Sequence, residues 1–260
     1  MGKATRVAGL TVLMLAMLIP AASAAAKQYV ALGDSYAAGV GSRVFYEESG
    51  SCKRSPEAYA PKIASAKGYT LNFEACSGAK TSDVNANQLG KLSSTTSLVT
   101  LSIGGNDAGF SNVIVNCALY YFTCGSAINE ANEYIAKSLP GVLNTTYNNI
   151  KSKATTAKVI IIGYPHLFTD SGTTCNVNFL TSSNEKKLNE TGDKLDAAIK
   201  AQAESHGFTF VDPRSAFKAH EVCASEEWLN GQSNPLEESY HPNVKGYAQF
   251  TTEIKAKPLP

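Results

Sequence analysis

Charge, metal-binding motifs and internal repeats are all scarce in this sequence, and each shortage excludes a class of protein. Only 17% of the 260 residues are charged, and 23 basic against 22 acidic residues give a formal net charge of +1. That balance argues against nucleic acid or a strongly charged partner. There is no CxxC pair and no cysteine–histidine spacing of the zinc-binding kind, so we expect no metal and no cofactor. Without repeats or low-complexity linkers, the sequence predicts a single domain.

The longest apolar run lies at the N-terminus and has the features of a secretory signal peptide. Two basic residues precede the run at 7–19, and small-residue cleavage sites end at Ala24 and Ala26. The run is too short to cross a membrane, and no later run approaches 18 apolar residues. We therefore expect residues 1–26 to be removed and residues 27–260 to form a secreted, extracellular domain without stable membrane insertion.

Six cysteines follow this segment, and an even number in an exported chain indicates disulfides. Six cysteines allow 15 pairings, among which the sequence does not choose. Pairing of neighbours is the simplest arrangement, and each bridge would stabilise the fold by about 2–4 kcal/mol. The predicted bridges are Cys52–Cys76, Cys117–Cys124 and Cys175–Cys223.

Short apolar runs alternate with helical patterns along the chain, which predicts an α/β fold. The predicted strands are 29–32, 69–75, 98–103, 158–163 and 208–211. The predicted helices are 56–67, 81–90, 126–151, 182–206 and 244–254. Such alternation indicates a parallel sheet with helices on both faces. Right-handed crossovers then bring the ends of all strands to one edge of the sheet.

The first strand stops at Gly33-Asp34-Ser35, which presents Ser35 at that edge, where open α/β sheets bind ligands. A helix that begins here would also leave the backbone N–H groups around Ser35 pointing outward as unsatisfied donors. Ser35 would then supply both a nucleophilic hydroxyl and part of an oxyanion site. The alternative is a simple turn followed by a helix cap, since Gly, Asp and Ser are all turn formers.

The second and third strands end in similar turns. Gly78 follows the second strand, where its N–H either faces the crevice or belongs to an ordinary turn. Gly104-Gly105-Asn106-Asp107 follows the third. The Asn106 side chain either caps the next helix or donates its amide N–H to a developing oxyanion.

Four histidines are candidates for a general base. His241 lies in the C-terminal loop, where Pro242 fixes the following backbone and Glu238 precedes it by three residues. His166 follows the fourth strand within an aromatic turn, which favours a packing or substrate-lining role over catalysis. Asp212 follows the fifth strand and either orients a base or starts a turn. The two histidines predicted to lie at the surface are His206 and His220.

Taken in order, these motifs resemble the SGNH hydrolases, also called the GDSL lipase/esterase family. The resemblance extends over nearly the whole chain after the signal peptide, and it implies a flavodoxin-like three-layer α/β/α sandwich with a five-stranded parallel sheet. The six-cysteine layout and the exported form resemble the secreted actinomycete-type lipases, esterases and phospholipases A1 of that family. The matching residues are Gly33-Asp34-Ser35, Gly78, Gly104-Gly105-Asn106-Asp107 and His241-Pro242-Asn243.

The resemblance implies a carboxylic-ester hydrolase with Ser35 as nucleophile and His241 as general base. It also implies an oxyanion hole formed by the backbone N–H groups of Ser35 and Gly78 and by the Asn106 side chain. A serine hydroxyl becomes an effective nucleophile when an adjacent imidazole takes its proton. The expected substrate is an acyl ester or lipid, and the expected protein is a monomer that needs no metal.

One position departs from the family pattern. The family usually places Asp three residues before the catalytic histidine, whereas this chain has Glu238. A glutamate can orient an imidazole as aspartate does, and Glu238 is the expected orienting residue. In some secreted relatives a main-chain carbonyl two residues before the histidine takes this role, which here is that of Ser239.

Two other functions are compatible with the same fold, because a fold does not fix a substrate. One is a carbohydrate esterase that removes acetyl groups from polysaccharide. The other is a secreted binding protein that has lost catalysis, which the complete set of catalytic residues argues against. Apolar and aromatic residues near the motifs favour an acyl pocket, namely Phe45, Tyr46, Phe110, Phe179 and Leu180.

Overall fold

Five parallel strands form one sheet, in the order β2-β1-β3-β4-β5. The computed structural model describes residues 1–4, 25–119, 122–169 and 180–260. The strand order is that of flavodoxin-like folds, in which the order reverses beside β1 and leaves a crevice at the carboxyl ends of β1 and β3. The strands are β1 Gln28–Gly33, β2 Thr70–Phe73, β3 Thr96–Ser102, β4 Lys158–Ile162 and β5 Thr209–Val211.

Helices connect the strands and cover both faces of the sheet. Short 3-10 segments occur at Val40–Ser42, Glu47–Cys52 and Leu236–Glu238. The described α-helices are α1 Ser35–Ala38, α2 Tyr59–Lys67, α3 Thr81–Asp83, α4 Phe110–Leu119, α5 Cys124–Lys137, α6 Leu139–Lys153, α7 Ser182–Ser205, α8 Arg214–Phe217 and α9 Val244–Lys255.

The core has two halves because successive side chains of a strand point to opposite faces. Along β1, Tyr29 and Ala31 join the cluster that contains the buried faces of α2 and α9. Val30 and Leu32 join the cluster that contains α6 and α7. The sheet therefore lies between two helical layers, and the predicted three-layer α/β/α sandwich is confirmed.

Two predicted helices differ in detail from the observed ones. In place of the predicted helix 81–90, the structure has α3 followed by a π-helical turn, Val84–Gln88, and a 3-10 turn, Leu89–Lys91. The pattern at 126–151 is divided between α5 and α6, with the break at Ser138. Pro140 explains the break, since proline fits the first turn of a new helix and not a helix interior.

Disulfides join Cys52 to Cys76 and Cys117 to Cys124. The predicted Cys175–Cys223 bridge stays a prediction, because Cys175 lies outside the described residues. The apolar run of the predicted signal peptide and Phe179 lie outside them as well. Across the described ranges, the structure contains no helix long and apolar enough to cross a membrane.

Candidate active site

Ser35 and His241 meet at the carboxyl edge of the sheet. The Ser35 Oγ lies 2.7 Å from His241 Nε2. Ser35 begins α1 directly after β1, and the Asp34 side chain caps this short helix by accepting the Tyr36 N–H at 3.0 Å. His241 arrives from the loop between the Leu236–Glu238 turn and α9. The chain thus brings a hydroxyl and an imidazole into direct hydrogen bonding over a separation of 206 residues.

The second ring nitrogen of His241 bonds to main chain. Nδ1 lies 2.8 Å from the carbonyl oxygen of Ser239. The expected contact with the Glu238 carboxylate is not formed, because that carboxylate turns away to Arg43, with Oε2 2.9 Å from Nε. The prediction of Glu238 as the orienting side chain is therefore corrected, and the alternative, the Ser239 carbonyl, fits the geometry. A carbonyl that accepts the Nδ1 proton leaves Nε2 free to accept the proton of Ser35.

The imidazole of His241 is partly buried, and its surroundings favour the neutral form. Burial lowers the pKa of His241 to about 4, while backbone hydrogen bonds from the Ser239 and Glu238 segment act in the opposite direction. Desolvation disfavours a charged imidazolium, so the ring is neutral at physiological pH. A neutral imidazole beside a hydroxyl can act as a general base.

Asn230 holds the His241 loop in place, and the sequence pattern gave no sign of it. Its N–H donates to the His241 carbonyl at 2.8 Å, and its carbonyl accepts the Tyr240 N–H at 2.9 Å. Its side-chain amide donates to the carbonyls of Gly41 at 2.8 Å and Glu238 at 3.3 Å. One residue therefore ties the histidine loop to the segment that follows α1. The sequence shows only that Asn230 lies in an irregular loop without local periodicity, which does not indicate its role.

The backbone around His241 is constrained further. Tyr240 adopts a left-handed conformation with φ of 59°, which costs a non-glycine residue about 1–3 kcal/mol. Its carbonyl accepts a hydrogen bond from the Tyr36 hydroxyl at 2.5 Å. Gly41 packs against the same loop so closely that an added Cβ would lie 2.2 Å from the Pro242 carbonyl oxygen. Contacts this tight hold the imidazole at a fixed position relative to Ser35.

Gly78 and Asn106 lie on two loops that are bonded to each other. The Asn106 amide donates one N–H to the Ala79 carbonyl at 3.0 Å, which leaves its second N–H available. The Asp107 carboxylate accepts both the N–H and the hydroxyl of Thr81. Gly78 has φ of 78°, a conformation that glycine adopts readily and other residues rarely adopt. Among the described residues, the N–H groups of Ser35 and Gly78 have no hydrogen-bond acceptor.

The loop after β4 joins the site through Tyr164. Its hydroxyl donates to Asp34 Oδ2 at 2.5 Å and accepts the Gly105 N–H at 3.2 Å. Burial raises the pKa of Asp34 to about 7, while its hydrogen bonds from Tyr164 and from the α1 backbone lower it. The hydroxyl therefore links the residue before the serine to the Gly104-Gly105 turn.

An apolar cavity of about 360 Å³ opens beside Ser35 and His241. We call this the apolar cavity. His166 lies on its wall, where Nε2 bonds to Asp193 at 2.8 Å, as a lining residue and not as the base that contacts Ser35. The apolar residues that line the apolar cavity include Phe110, Ile114, Val115, Leu167, Leu188, Leu195 and Leu236.

Asp196 lies fully buried behind the cavity wall. Its Oδ1 accepts the Tyr164 N–H at 2.9 Å, whereas Oδ2 has no hydrogen-bond partner and lies 3.7 Å from Arg214 Nε. Burial raises the pKa of Asp196 to about 8 against the attraction of Arg214. Arg214 makes its closer contacts with Asp193 and Asp212. Asp212 therefore anchors an arginine and does not contact His241.

In the ranges that the structure describes, no group of three or more His, Cys, Asp or Glu side chains is placed to hold a metal ion. The site combines a hydroxyl, a neutral imidazole, unsatisfied N–H donors and an apolar cavity. These are the elements of acyl transfer through a serine nucleophile.

The fold, a five-stranded parallel sheet between helical layers with its site at the carboxyl edge, is that of the SGNH hydrolases. A model of the GDSL-like Lipase/Acylhydrolase family matches residues 31–249. The chain therefore belongs to the GDSL-like lipase/acylhydrolase family, and it is a carboxylic-ester hydrolase of the lipase and esterase type.

Relatives from Streptomyces are similar over most of the chain. Lipase 1 of Streptomyces coelicolor is 44% identical over 226 residues, which cover 86% of this chain and 83% of the relative. The crystal structure of phospholipase A1 from Streptomyces albidoflavus is 39% identical, with a TM-score of 0.87, and covers 90% of this chain and 100% of that one. The extracellular lipase of Streptomyces rimosus is 40% identical, with a TM-score of 0.86 and the same coverage.

Proposed function

We propose that this ester hydrolase cleaves acyl lipids through an acyl-enzyme on Ser35, with His241 as general base. The observation that carries the proposal is the Ser35–His241 hydrogen bond at the mouth of an apolar cavity. Relatives described as lipases and a phospholipase A1 support lipid substrates. The fatty acyl chain would occupy the apolar cavity, because burial of methylene groups there is favourable.

In the first step, His241 Nε2 takes the proton of Ser35 as Oγ attacks the ester carbonyl carbon. The carbonyl oxygen becomes an oxyanion, which accepts hydrogen bonds from the N–H groups of Ser35 and Gly78 and from the Asn106 amide. Donors of this kind each stabilise the transition state of acyl-transfer enzymes by about 3 kcal/mol. The Ser239 carbonyl holds the imidazolium in place through Nδ1–H.

In the second step, the tetrahedral intermediate collapses and the bond to the alcohol oxygen breaks. His241 gives its proton to the departing alcohol, and Ser35 carries the acyl group. Water then enters, loses a proton to His241 and attacks the acyl carbonyl in the same oxyanion hole. Collapse of the second intermediate releases the fatty acid and returns the proton to Ser35.

The mechanism is tested by initial rates on p-nitrophenyl esters from acetyl to palmitoyl and on phosphatidylcholine. We expect rates that rise with acyl length and vanish in Ser35→Ala, while Ser111→Ala, another serine of the apolar cavity, retains activity. A preference for acetyl without lipid turnover would favour the acetyl esterase alternative. Ester hydrolysis that persists in Ser35→Ala would refute the assignment of the nucleophile.

We also propose that the protein is exported as a monomer after cleavage of its signal peptide behind Ala24 or Ala26. Disulfides at Cys52–Cys76 and Cys117–Cys124 support an oxidising compartment, as does the similarity to an extracellular lipase. N-terminal sequencing of protein from the culture medium should give a chain that starts at Ala25 or Lys27. A mature chain that retains the apolar run would contradict export by this route. Size-exclusion chromatography with light scattering tests the monomer.

A further inference from the structure

A second cavity, of about 480 Å³, adjoins the oxyanion donors. Gly78 and Ala79 both line it, and the Ala79 carbonyl accepts the amide of Asn106, which lines the apolar cavity. A further lining residue, Gln88, forms two hydrogen bonds with the backbone of Gly33, at 2.7 and 2.9 Å. Both cavities therefore border the loops that carry the proposed oxyanion donors. We call the second one the polar cavity.

The polar cavity contains opposite charges that do not pair. Arg54 and Glu74 both line the cavity, and the Arg54 guanidinium donates to the Ala75 carbonyl at 3.4 Å. Within the described ranges neither side chain forms an ion pair, with the other or with a third residue. Asp83 adds a second carboxylate to the lining. Opposite charges that face one cavity and remain unpaired leave room for a ligand between them.

The neighbouring cations behave differently. Arg43 pairs with Glu238, and Lys53 pairs with Glu237, which lines the apolar cavity. Lys53 directly precedes Arg54 in the chain. Arg54 is thus the cation of segment 43–54 that, in the described structure, has no carboxylate partner. Because guanidinium groups match phosphate oxygens with paired N–H donors, Arg54 is suited to a phosphate.

The position of the polar cavity fits the alcohol side of an ester. With the carbonyl oxygen at the Ser35, Gly78 and Asn106 donors and the acyl chain in the apolar cavity, an alcohol part that passes Gly78 would reach the polar cavity, which Gly78 lines. In a glycerophospholipid, the glycerol backbone places a phosphate a short distance from the ester. A carboxylate beyond that phosphate is suited to an ammonium group.

We propose that the polar cavity binds the head group of a zwitterionic glycerophospholipid, with its phosphate on Arg54 and its ammonium on Glu74. The proposal rests on the proposed ester hydrolysis at Ser35 and adds the substrate class. A triacylglycerol and a polysaccharide acetyl ester carry neither of the two charges. The structure thus assigns phosphate recognition to Arg54 and amine recognition to Glu74.

The first test compares wild type, Arg54→Gln and Arg54→Lys on phosphatidylcholine, on diacylglycerol with the same acyl chains, and on p-nitrophenyl butyrate, in mixed detergent micelles. Loss of a charge-assisted contact should lower kcat/KM for phosphatidylcholine by about tenfold, mainly through KM. The other two substrates should change by less than about twofold, and Arg54→Lys should recover part of the loss. Lys67→Gln, an exposed lysine outside the cavity, is the matched control.

The second test uses Glu74→Gln on phosphatidylcholine and on phosphatidic acid, which has the phosphate and lacks the amine. We expect Glu74→Gln to lower kcat/KM for phosphatidylcholine and not for phosphatidic acid, whereas Arg54→Gln lowers both. The comparison separates the two charges of the head group, because each variant removes the protein side chain proposed to bind one of them.

Three outcomes would overturn the proposal. Equal losses on all three substrates of the first test would make Arg54 a structural residue beside the Cys52–Cys76 bridge. Unchanged phosphatidylcholine hydrolysis in Arg54→Gln would refute the head-group site but not the proposed ester hydrolysis at Ser35. Absence of hydrolysis of every ester by wild type would refute the proposed function together with this site.

Discussion

Glu238 Oε2 lies 2.9 Å from Arg43 Nε, and this pair keeps the carboxylate away from the His241 imidazole. We therefore predict that Glu238→Gln changes kcat/KM by less than about threefold, because the carboxylate does not contact His241 and its partner Arg43 is about half exposed, where solvent screens the pair. His241→Ala should lower kcat by about 10³-fold or more, since it removes the general base. The measurement is steady-state kinetics on a soluble short-chain ester.

Arg43→Gln is the matched control, because it breaks the same ion pair from the other side. Its effect should equal that of Glu238→Gln. Similar losses in Glu238→Gln and His241→Ala would instead show that the carboxylate is essential for catalysis.

Asn230→Ala tests the residue that holds the histidine loop. The substitution removes the amide donors to the Gly41 and Glu238 carbonyls, so we expect kcat to fall by about tenfold with little change in KM. A looser loop also admits water to His241, which should move the acid limb of kcat/KM to higher pH. Asn148→Ala, an exposed asparagine on α6, should show neither effect. Unchanged kcat and pH profile in Asn230→Ala would contradict a positioning role.

Gly41→Ala tests the close packing beneath His241. A Cβ at 2.2 Å from the Pro242 carbonyl and 2.8 Å from the His241 Cβ forces the backbone to move. We expect a loss of about 1–3 kcal/mol in the free energy of unfolding, as for other overpacked sites, together with at least a tenfold loss of kcat. Gly90→Ala has open space around its Cβ and serves as the control in calorimetry and kinetics. Wild-type kcat in Gly41→Ala would show that the histidine loop adapts.

The pH dependence of activity should reflect the partly buried imidazole of His241. Because burial lowers the pKa of His241 to about 4, the base is neutral and competent above that pH and becomes protonated below it. We expect the acid limb of kcat/KM to fall near pH 4, well below the value of about 6.5 for an exposed histidine. The profile is measured from pH 3.5 to 8 on a soluble ester. An acid limb at pH 6.5 would mean that the imidazole is solvated in the free enzyme.

Asp196 should govern part of the pH dependence of stability. Its folded-state pKa of about 8 lies above the unfolded value near 3.9, so the folded state holds an extra proton between these two values. The stabilisation is complete below the lower value and is lost as the pH rises through 8. Asp196→Asn cannot ionise, so calorimetry from pH 5 to 9 should show a smaller decline in Tm than for wild type. Parallel declines would refute a buried, protonated Asp196.

The sequence was sufficient to predict the fold because its signals are local. Each strand is a short apolar run, and the glycine turns at Gly33 and Gly104 mark where strands end. Parallel connection then brings the strand ends together without further information. The Ser35, Gly78, Asn106 and His241 motifs could be located for the same reason, since each follows a strand end or precedes a helix.

Long-range contacts were less predictable. Sequence spacing suggested Glu238 as the partner of His241, but spacing does not reveal that Arg43, almost two hundred residues away, binds that carboxylate. The Asn230 contacts are equally non-local. His206 was predicted at the surface from its charged neighbours, whereas it is buried against Tyr147 and Phe208. In each case the partner comes from another part of the chain, so local sequence periodicity does not predict it.

The proposed nucleophile and the proposed base come from opposite ends of the chain, Ser35 from the end of β1 and His241 from the loop before α9. Hydrolysis therefore requires that the N-terminal segment with Ser35 and the C-terminal segment with His241 remain in contact. If the C-terminal segment opens while the sheet persists, the base leaves the hydroxyl and turnover stops in a chain that is still mostly folded. We expect heat inactivation of such an enzyme to precede the loss of its secondary structure.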